Sequence, residues 1–381
     1  MLGTLVGWWI YELTSAPLAI GLIGLAEVIP ALSLALYAGH VIDISEKRKL
    51  LLKGVSGYLS CAAALLFVST SFFSNHFGKA IIIGGIYTII FVSGIVRAFS
   101  GPIFNAILGQ IVPRQMLPNA ITWNQATYLS ASVVGHASAG FCIALFGNTG
   151  TLGIIVGFIS CALFMLSKIY EKPAAASSGG KRTWESVREG LHFVFTTKEV
   201  LGALSLDLFA VLFGGAVAMV PVYARDILHV GPIGFGWLNA ASDIGSIIMV
   251  IALTFFPLKT QQGRKLLFVV ACFGISIIIF GISKIFWISF AALLLSGLLD
   301  AISVVIRGTI VQMKTPDEMR GRVMSVNSMF INSSNELGQF ESGMAAKLMG
   351  VVPSVVFGGA MTLLVVCITW FKAPSLRKME Y

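Results

Sequence analysis

Ionisable side chains interrupt the long apolar runs of this 381-residue chain at only a few positions. Six of them combine one arginine with five carboxylates: Arg97, Glu27, Asp207, Asp243, Asp300 and Glu336. An ionised group at bilayer depth costs at least about 2.5–3.5 kcal/mol, so it must face protein or a wet cavity. Carboxylates in such places can carry protons, and arginine binds carboxylates and other anionic groups. The six residues are therefore candidates for a substrate and proton pathway.

Four further ionisable residues share this apolar setting: His136, Arg307, Glu341 and Lys347. His136 follows Gly135, and we expect it to form a polar contact between helices, with a proton relay as the alternative. Glu341 and Lys347 are expected to form a local pair near a helix end.

The runs that carry these residues are long enough to cross a membrane. Only 11% of the residues are charged and the mean hydropathy is +0.89, whereas about a quarter of a soluble domain is charged. A spanning helix needs about 20 mostly apolar residues. The sequence predicts twelve spans, numbered in chain order: a partial one up to residue 13, then 16–42, 51–73, 80–111, 119–146, 149–169, 200–222, 235–257, 266–282, 285–311, 323–349 and 352–371. Because span 1 is short, we expect an upstream start or a truncated first helix.

The chain divides into two groups of six spans. Residues 1–170 form an N-terminal bundle, 171–199 a linker with an amphipathic stretch, 200–371 a C-terminal bundle and 372–381 a tail. Twenty of the 26 Lys and Arg residues fall on the side of the linker and tail, and only Lys79, Arg225 and Lys284 fall on the other. The positive-inside rule then predicts a multi-pass protein of the cell inner membrane, with linker and C-terminus in the cytoplasm.

The two halves repeat each other. An offset of 203 maps eight positions onto identical residues, among them Gly140 on Gly343 and Gly147 on Gly350. A second match maps Gly21 on Gly236. Two six-helix repeats running in the same direction are typical of a two-bundle transporter with its site at the bundle interface.

With the halves, the linker and the loop after span 2 in view, the chain resembles the major facilitator superfamily. Gly39, Asp43, Lys47 and Arg48 resemble its loop signature between helices 2 and 3, with Ile44 and Glu46 as departures. RAFSG at Arg97 resembles its helix-4 motif. ELTSAPLAIGLIGLAEVIP and TPDEMRGRVMSVNSMF resemble the branch of bacterial drug and siderophore exporters typified by the enterobactin exporter.

The resemblance implies an all-α integral membrane fold, with lipid-facing helices 3, 6, 9 and 12. Those four predicted spans carry no ionisable residue in their interiors. It also implies that Asp43 lies near the N-terminus of helix 11, where the helix dipole favours an anion. Gly39, Asp43, Lys47 and Arg48 would then form a cytoplasmic gate, while Lys47 also fits a simple role in topology.

The repeat places Arg97 and Asp300 at equivalent depths on spans 4 and 10. We expect the two to face one another across the cavity and to pair, directly or through substrate, in one state of the transport cycle. The alternative is that polar groups of its own bundle satisfy each residue separately.

Enzymes, metal sites and nucleic-acid binding are not indicated. The linker stretch SSGGKRT lacks the residues of a phosphate-binding Walker loop. We therefore expect no ATP hydrolysis by this chain and no cofactor, with an ion gradient, of protons, as its energy source. The five cysteines lie in apolar runs without metal-ligand spacing. The basic residues fall in loops between spans, as orientation requires.

The function predicted from these features is secondary active transport. The favoured interpretation is a monomeric, proton-coupled antiporter in the lipid bilayer that exports amphipathic small molecules such as drugs or siderophores by alternating access. One alternative is an uptake permease or symporter of the same fold. The other is a non-transporting sensor or truncated pseudotransporter.

Overall fold

The computed structural model describes residues 1–113, 116–168, 183–256, 261–316 and 319–379. The secondary structure in these ranges is entirely helical, without strands. The helices are α1 (Leu2–Thr14), α2 (Pro17–Ile44), α3 (Lys47–Ser69), α4 (Ser71–His76), α5 (Lys79–Ile111), α6 (Leu117–Ser167), α7 (Thr183–Thr196), α8 (Lys198–Phe213), α9 (Val220–Val222), α10 (Gly231–Phe255), α11 (Gln262–Ile282), α12 (Phe286–Lys314), α13 (Arg320–Met349), α14 (Val351–Lys372) and α15 (Pro374–Arg377). A 3-10 turn (Ala216–Met219) precedes α9 and a π-helical turn (Tyr223–Ile227) follows it.

The predicted all-α membrane fold is confirmed. Nine segments of the described ranges are long and apolar enough to cross a membrane. One of them, within α6, kinks at Gly147 and accounts for two predicted spans. The remaining two spans are α1, which has only 13 residues, and α13, whose polar residues exclude it from a lipid-facing role. A spanning helix of such polarity is expected where it packs between bundles or lines a wet cavity.

Two turns show the repeat at the level of backbone conformation. Gly147 separates the two arms of α6 with φ 64°, and Gly350 separates α13 from α14 with φ 90°. A residue with a Cβ is strained at positive φ, whereas glycine is not. The offset of 203 that maps Gly147 on Gly350 therefore joins two equivalent turns.

Predicted span 7 is not one continuous helix. α8 ends at Phe213, and the chain passes Gly214 and Gly215 before the 3-10 turn. A Cβ on Gly215 would lie 2.9 Å from the carbonyl oxygen of Gly338 in α13. The glycine pair lowers helix propensity at this point and lets the broken helix approach the backbone of α13.

Three short helices of the described ranges lie outside the membrane-crossing segments: α4, α7 and, in the tail, α15. α4 connects α3 to α5 and has no counterpart in the prediction. α7 corresponds to the amphipathic part of the predicted 171–199 segment and packs against α13, α8 and α2. The rest of that linker, residues 169–182, lies outside the described ranges.

The helices form two bundles that meet along two seams. In the first bundle α2 packs on α5 and α3 packs on α5 and α6; in the second, α12 packs on α10 and α11, and α14 packs on α11. Between the bundles α2 packs on α13, and α6 packs on α10. We call the end of the molecule where α2 ends and α13 begins the basic face, and the end with the Gly147 and Gly350 turns the opposite face.

Candidate functional site

The α2–α13 seam contains a three-residue ion cluster. Arg97 of α5 places Nη1 2.7 Å from Oε1 of Glu27 in α2 and 2.7 Å from Oε1 of Glu336 in α13. Glu336 is buried, and its other oxygen accepts a hydrogen bond from Gln339 Nε2 at 3.3 Å. Arg97 thus connects carboxylates of both bundles, and two negative charges surround one positive charge.

The second bundle contains an ion cluster of the same composition. Arg307 of α12 pairs with Asp207 of α8, and both side chains are buried. Asp300, two turns earlier on α12, lies 3.7 Å from Nη2 of Arg307, and 46% of its side chain is exposed. Asp207 is therefore the closer partner of Arg307, and Asp300 is the more exposed carboxylate of the cluster.

The structure does not bring Arg97 and Asp300 together. Among the ion pairs of the described residues, Arg97 binds Glu27 and Glu336, while Asp300 approaches Arg307. Asp300 is thus satisfied within its own bundle, whereas Arg97 takes partners from both. A pair between Arg97 and Asp300 in another state of the protein stays a prediction.

The α6–α10 seam contains a polar cluster with a single carboxylate. Ser132 of α6 donates to Oδ2 of Asp243 in α10 at 2.6 Å, and Nε2 of His136 lies 3.6 Å from the same oxygen. Nδ1 of His136 lies 2.7 Å from the hydroxyl of Thr4 in α1. His136 therefore joins three helices, as a polar contact between helices would.

Glycines bring the backbones together at both seams. A Cβ on Gly21 of α2 would lie 3.1 Å from Cα of Gly343 in α13. At the other seam, a Cβ on Gly140 of α6 would lie 2.4 Å from the Pro232 carbonyl oxygen and 3.0 Å from Cα of Gly236. All these positions lie toward the opposite face, so the two bundles are in close contact there.

A further contact at the opposite face was missed by the sequence analysis. The Tyr11 hydroxyl donates to Asp226 of the π-helical turn, and the Arg225 guanidinium lies 5.6 Å from the centre of the Tyr11 ring. Arg225 Nη1 also donates to the Tyr11 carbonyl oxygen at 3.3 Å. No motif marks these residues, and the pairing of Tyr11 with a site 215 positions away is visible only in three dimensions.

The basic-face half of α6 is open. Every side chain from residue 121 to residue 128 is exposed, the large apolar residues Ile121, Trp123 and Tyr128 included. The stretch also includes Asn124, Gln125 and Thr127, whose polar groups are unfavourable in contact with lipid tails. The polar side of this stretch is therefore a candidate border of a polar space that opens toward the basic face.

The predicted gate motif is only partly described. The surroundings of Gly39 and the side chain of Asp43 lie outside what the structure describes, so the contact of Asp43 with helix 11 stays a prediction. Arg48 Nη2 donates to the Ser167 carbonyl oxygen at 2.7 Å, which joins the start of α3 to the end of α6. Lys47 begins α3 at the basic face and is half-buried.

Curated relatives cover nearly the whole chain at low identity. The multidrug efflux pump Tap of Mycolicibacterium fortuitum is 21% identical over 98% of this chain and 91% of its own length. Macrolide efflux protein A of Streptococcus pyogenes is 20% identical over 95% of this chain and 88% of its own length.

Solved structures share the fold. A point mutant of the nucleoside transporter NupG superposes with a TM-score of 0.75 at 12% identity, covering 97% of this chain and 94% of its own. The D-xylose-proton symporter superposes with a TM-score of 0.72 at 13% identity, covering 100% and 90%.

A family model described as transmembrane secretion effector matches residues 3–381. The family and the structural neighbours are transporters, not enzymes. This chain belongs to the transmembrane secretion effector family of the major facilitator superfamily, and it is a multi-pass membrane transporter.

Proposed function

We propose that this transporter exports amphipathic small molecules, such as drugs or siderophores, in exchange for protons. It would act as a monomer in the cell inner membrane, by alternating access and without a cofactor. The observation that carries the proposal is the pair of ion clusters, Glu27–Arg97–Glu336 and Asp207–Arg307–Asp300, each with two carboxylates around one guanidinium.

Each cluster has one negative charge more than its guanidinium can neutralise. An uncompensated carboxylate in a low-dielectric site is unfavourable, and a proton or a cationic part of a substrate relieves it. We assign proton binding to Asp300, because its side chain is the half-exposed one of its cluster. Glu27, Asp207 and Glu336 would hold the arginines in place, and Asp243 would serve the α6–α10 seam.

The Arg97 cluster also supplies a link between proton binding and bundle movement. Its guanidinium binds Glu27 of the first bundle and Glu336 of the second at the same time. The bundles cannot separate along α2–α13 without breaking the contact to Glu336. Protonation or substrate binding at this cluster would weaken that contact and favour the alternative arrangement.

The names of the two relatives described above, both efflux proteins, support the export direction. The inner-membrane orientation rests on the sequence, which assigns twenty Lys and Arg residues to the side of the linker and tail, and that side would be cytoplasmic. The polar space beside α6 would then admit substrate from the cytoplasm.

Inside-out vesicles containing the protein provide the test. An acid interior is generated, a pH dye reports the interior, and lipophilic drugs and catecholate siderophores are added from outside. Export in exchange for protons makes the interior less acidic on substrate addition. We expect Asp300→Asn and Arg97→Ala to abolish this signal, and Glu199→Gln, a carboxylate change at the start of α8, to leave it intact.

Other outcomes separate the alternatives. Proton release that requires substrate loaded inside the vesicle would indicate symport in the uptake direction. Silence across the panel, from the chain as given and from a version extended at its N-terminus by any upstream residues, would favour a non-transporting protein. A normal signal from Asp300→Asn would remove Asp300 from the proton pathway while leaving export in place.

A further inference from the structure

A groove between α11 and α12 lies outside both ion clusters. It has a volume of about 260 Å³ and is lined by Arg264, Lys265, Phe268, Val269 and Ile302. The first four residues belong to the first two turns of α11, so the groove begins at the basic face.

Positive charge is concentrated at the mouth of this groove. Arg264 is exposed, and no ion pair or hydrogen bond of its side chain occurs within the described part of the chain. The tail adds Arg377 and Lys378 nearby, because the backbone amide of Gly263 donates to the carbonyl oxygen of Met379 at 3.3 Å. None of the five lining residues is acidic.

The deeper part of the groove is apolar. Phe268 and Val269 follow Arg264 by four and five residues, which places them about 6–8 Å deeper along the helix. Phe268 is exposed at the surface of the bundle, and Ile302 supplies the opposite wall from α12. Cations at the membrane boundary above an apolar channel match an anionic headgroup followed by an acyl chain.

The size of the groove is compatible with one segment of a lipid. Pockets for drug-sized molecules have volumes of about 300–1,000 Å³, and this groove, at about 260 Å³, is smaller. A phospholipid bound here would therefore fill the groove with only part of its length. Membrane orientation explains why basic residues lie at this face, but it does not explain an apolar groove below them.

We propose that the groove binds an anionic phospholipid, with the phosphate on Arg264 and Lys265 and one acyl chain along Phe268, Val269 and Ile302. This assignment does not depend on the direction or coupling of transport. Ile302 lies two residues after Asp300 on α12, so the bound lipid supports the helix that carries the second ion cluster.

The test uses the full-length protein in neutral detergent, with native mass spectrometry to measure the affinity for phosphatidylglycerol and for phosphatidylcholine. We expect phosphatidylglycerol to bind the wild type more tightly. For R264Q/K265Q, the apparent Kd for phosphatidylglycerol should rise about thirtyfold, because each basic residue contributes roughly 1 kcal/mol. The matched control K53Q/K198Q removes two positive charges from the same face and should change Kd by less than about twofold.

A second variant, Ile302→Phe, fills the apolar part and keeps both charges, so it tests the acyl-chain contact even if R264Q/K265Q folds poorly. It should weaken phosphatidylglycerol binding. Three results would overturn the proposal: equal affinity for phosphatidylcholine, an equal loss in K53Q/K198Q, or unchanged binding by Ile302→Phe. Displacement of the lipid by millimolar inorganic phosphate would instead identify a site for soluble anions.

Discussion

The two seams between the bundles have equivalent glycine contacts and different side-chain chemistry. At α2–α13, Gly21 lies against Gly343; at α6–α10, Gly236 lies against Gly140. The repeat maps Gly21 on Gly236 and Gly140 on Gly343, so the two contacts are equivalent. Close packing through glycine was therefore preserved in both copies, as expected when backbone approach is the requirement.

The polar groups next to these glycines are not equivalent. The α2–α13 seam has three ionisable side chains, centred on Arg97, whereas the α6–α10 seam has Ser132, His136 and Asp243 with hydroxyl and imidazole partners. Charged contacts are stronger when made and more costly when one partner is removed. We infer that the first seam couples the bundles more tightly and that the second mainly guides their packing.

The largest difference between the seams is expected when the effects of Arg97→Gln and His136→Gln on transport and stability are compared. The first leaves Glu27 and Glu336 without a cation, so we expect loss of transport and a free energy of unfolding lower by about 2–3 kcal/mol. That value is below the usual 3–5 kcal/mol for a buried pair, because Arg97 is partly exposed. His136→Gln retains a hydrogen-bonding group and should cost about 1 kcal/mol. Transport by both variants is measured in vesicles, and their free energy of unfolding in mixed micelles. Equal losses in the two variants would contradict a stronger coupling at the α2–α13 seam.

The next contrast compares two alanine substitutions at the glycine contacts. A Cβ at Gly140 would lie 2.4 Å from a backbone oxygen, so the helices must separate, whereas the contacts at Gly21 are 3.0–3.2 Å. Overpacking typically costs about 1–3 kcal/mol, and the better helix propensity of alanine returns up to about 1 kcal/mol. We expect a clear fall in Tm for Gly140→Ala and little change for Gly21→Ala. Gly153→Ala, with open space around its Cβ position, is the control.

The sequence was sufficient to predict the architecture and to identify equivalent positions in the two halves. Apolar run length gave the spans, and the repeat identified Gly147 and Gly350 as counterparts, which both form turns at positive φ. These features depend on local composition and backbone conformation. Both are encoded within a few residues, so they can be predicted without knowing how helices pack.

Sequence was not sufficient for the partners of the charged residues. The repeat placed Arg97 and Asp300 at one depth, but equivalence under a pseudo-symmetry does not mean contact. Arg97 instead binds Glu336, 239 positions away on the most polar span. Such a contact depends on helix rotation and on the arrangement of the bundles, and neither can be read from spacing within one helix.

A smaller difference is expected between the interaction energies of one residue pair at each seam. Double-mutant cycles with Arg97→Gln and Glu336→Gln should give a coupling energy of about 1.5–3 kcal/mol, the range for hydrogen bonds to charged groups. Ser132→Ala with Asp243→Asn should give about 0.5–1.5 kcal/mol, because asparagine still accepts a hydrogen bond from a hydroxyl. Unfolding free energies of the single and double variants measure both. A larger coupling at α6–α10 would reverse our ranking of the seams.

The smallest expected effect tests whether α1 takes part in the second seam. The Thr4 hydroxyl lies 2.7 Å from His136 Nδ1, and Thr4 is buried. Thr4→Val keeps the shape of the side chain and removes the hydrogen bond, so it should lower the free energy of unfolding by about 1 kcal/mol. The loss should disappear when His136 is already phenylalanine, because the partner is then gone. If Thr4→Val costs the same in both backgrounds, α1 is held by its apolar contacts alone, and the α6–α10 seam has no third helix in its polar cluster.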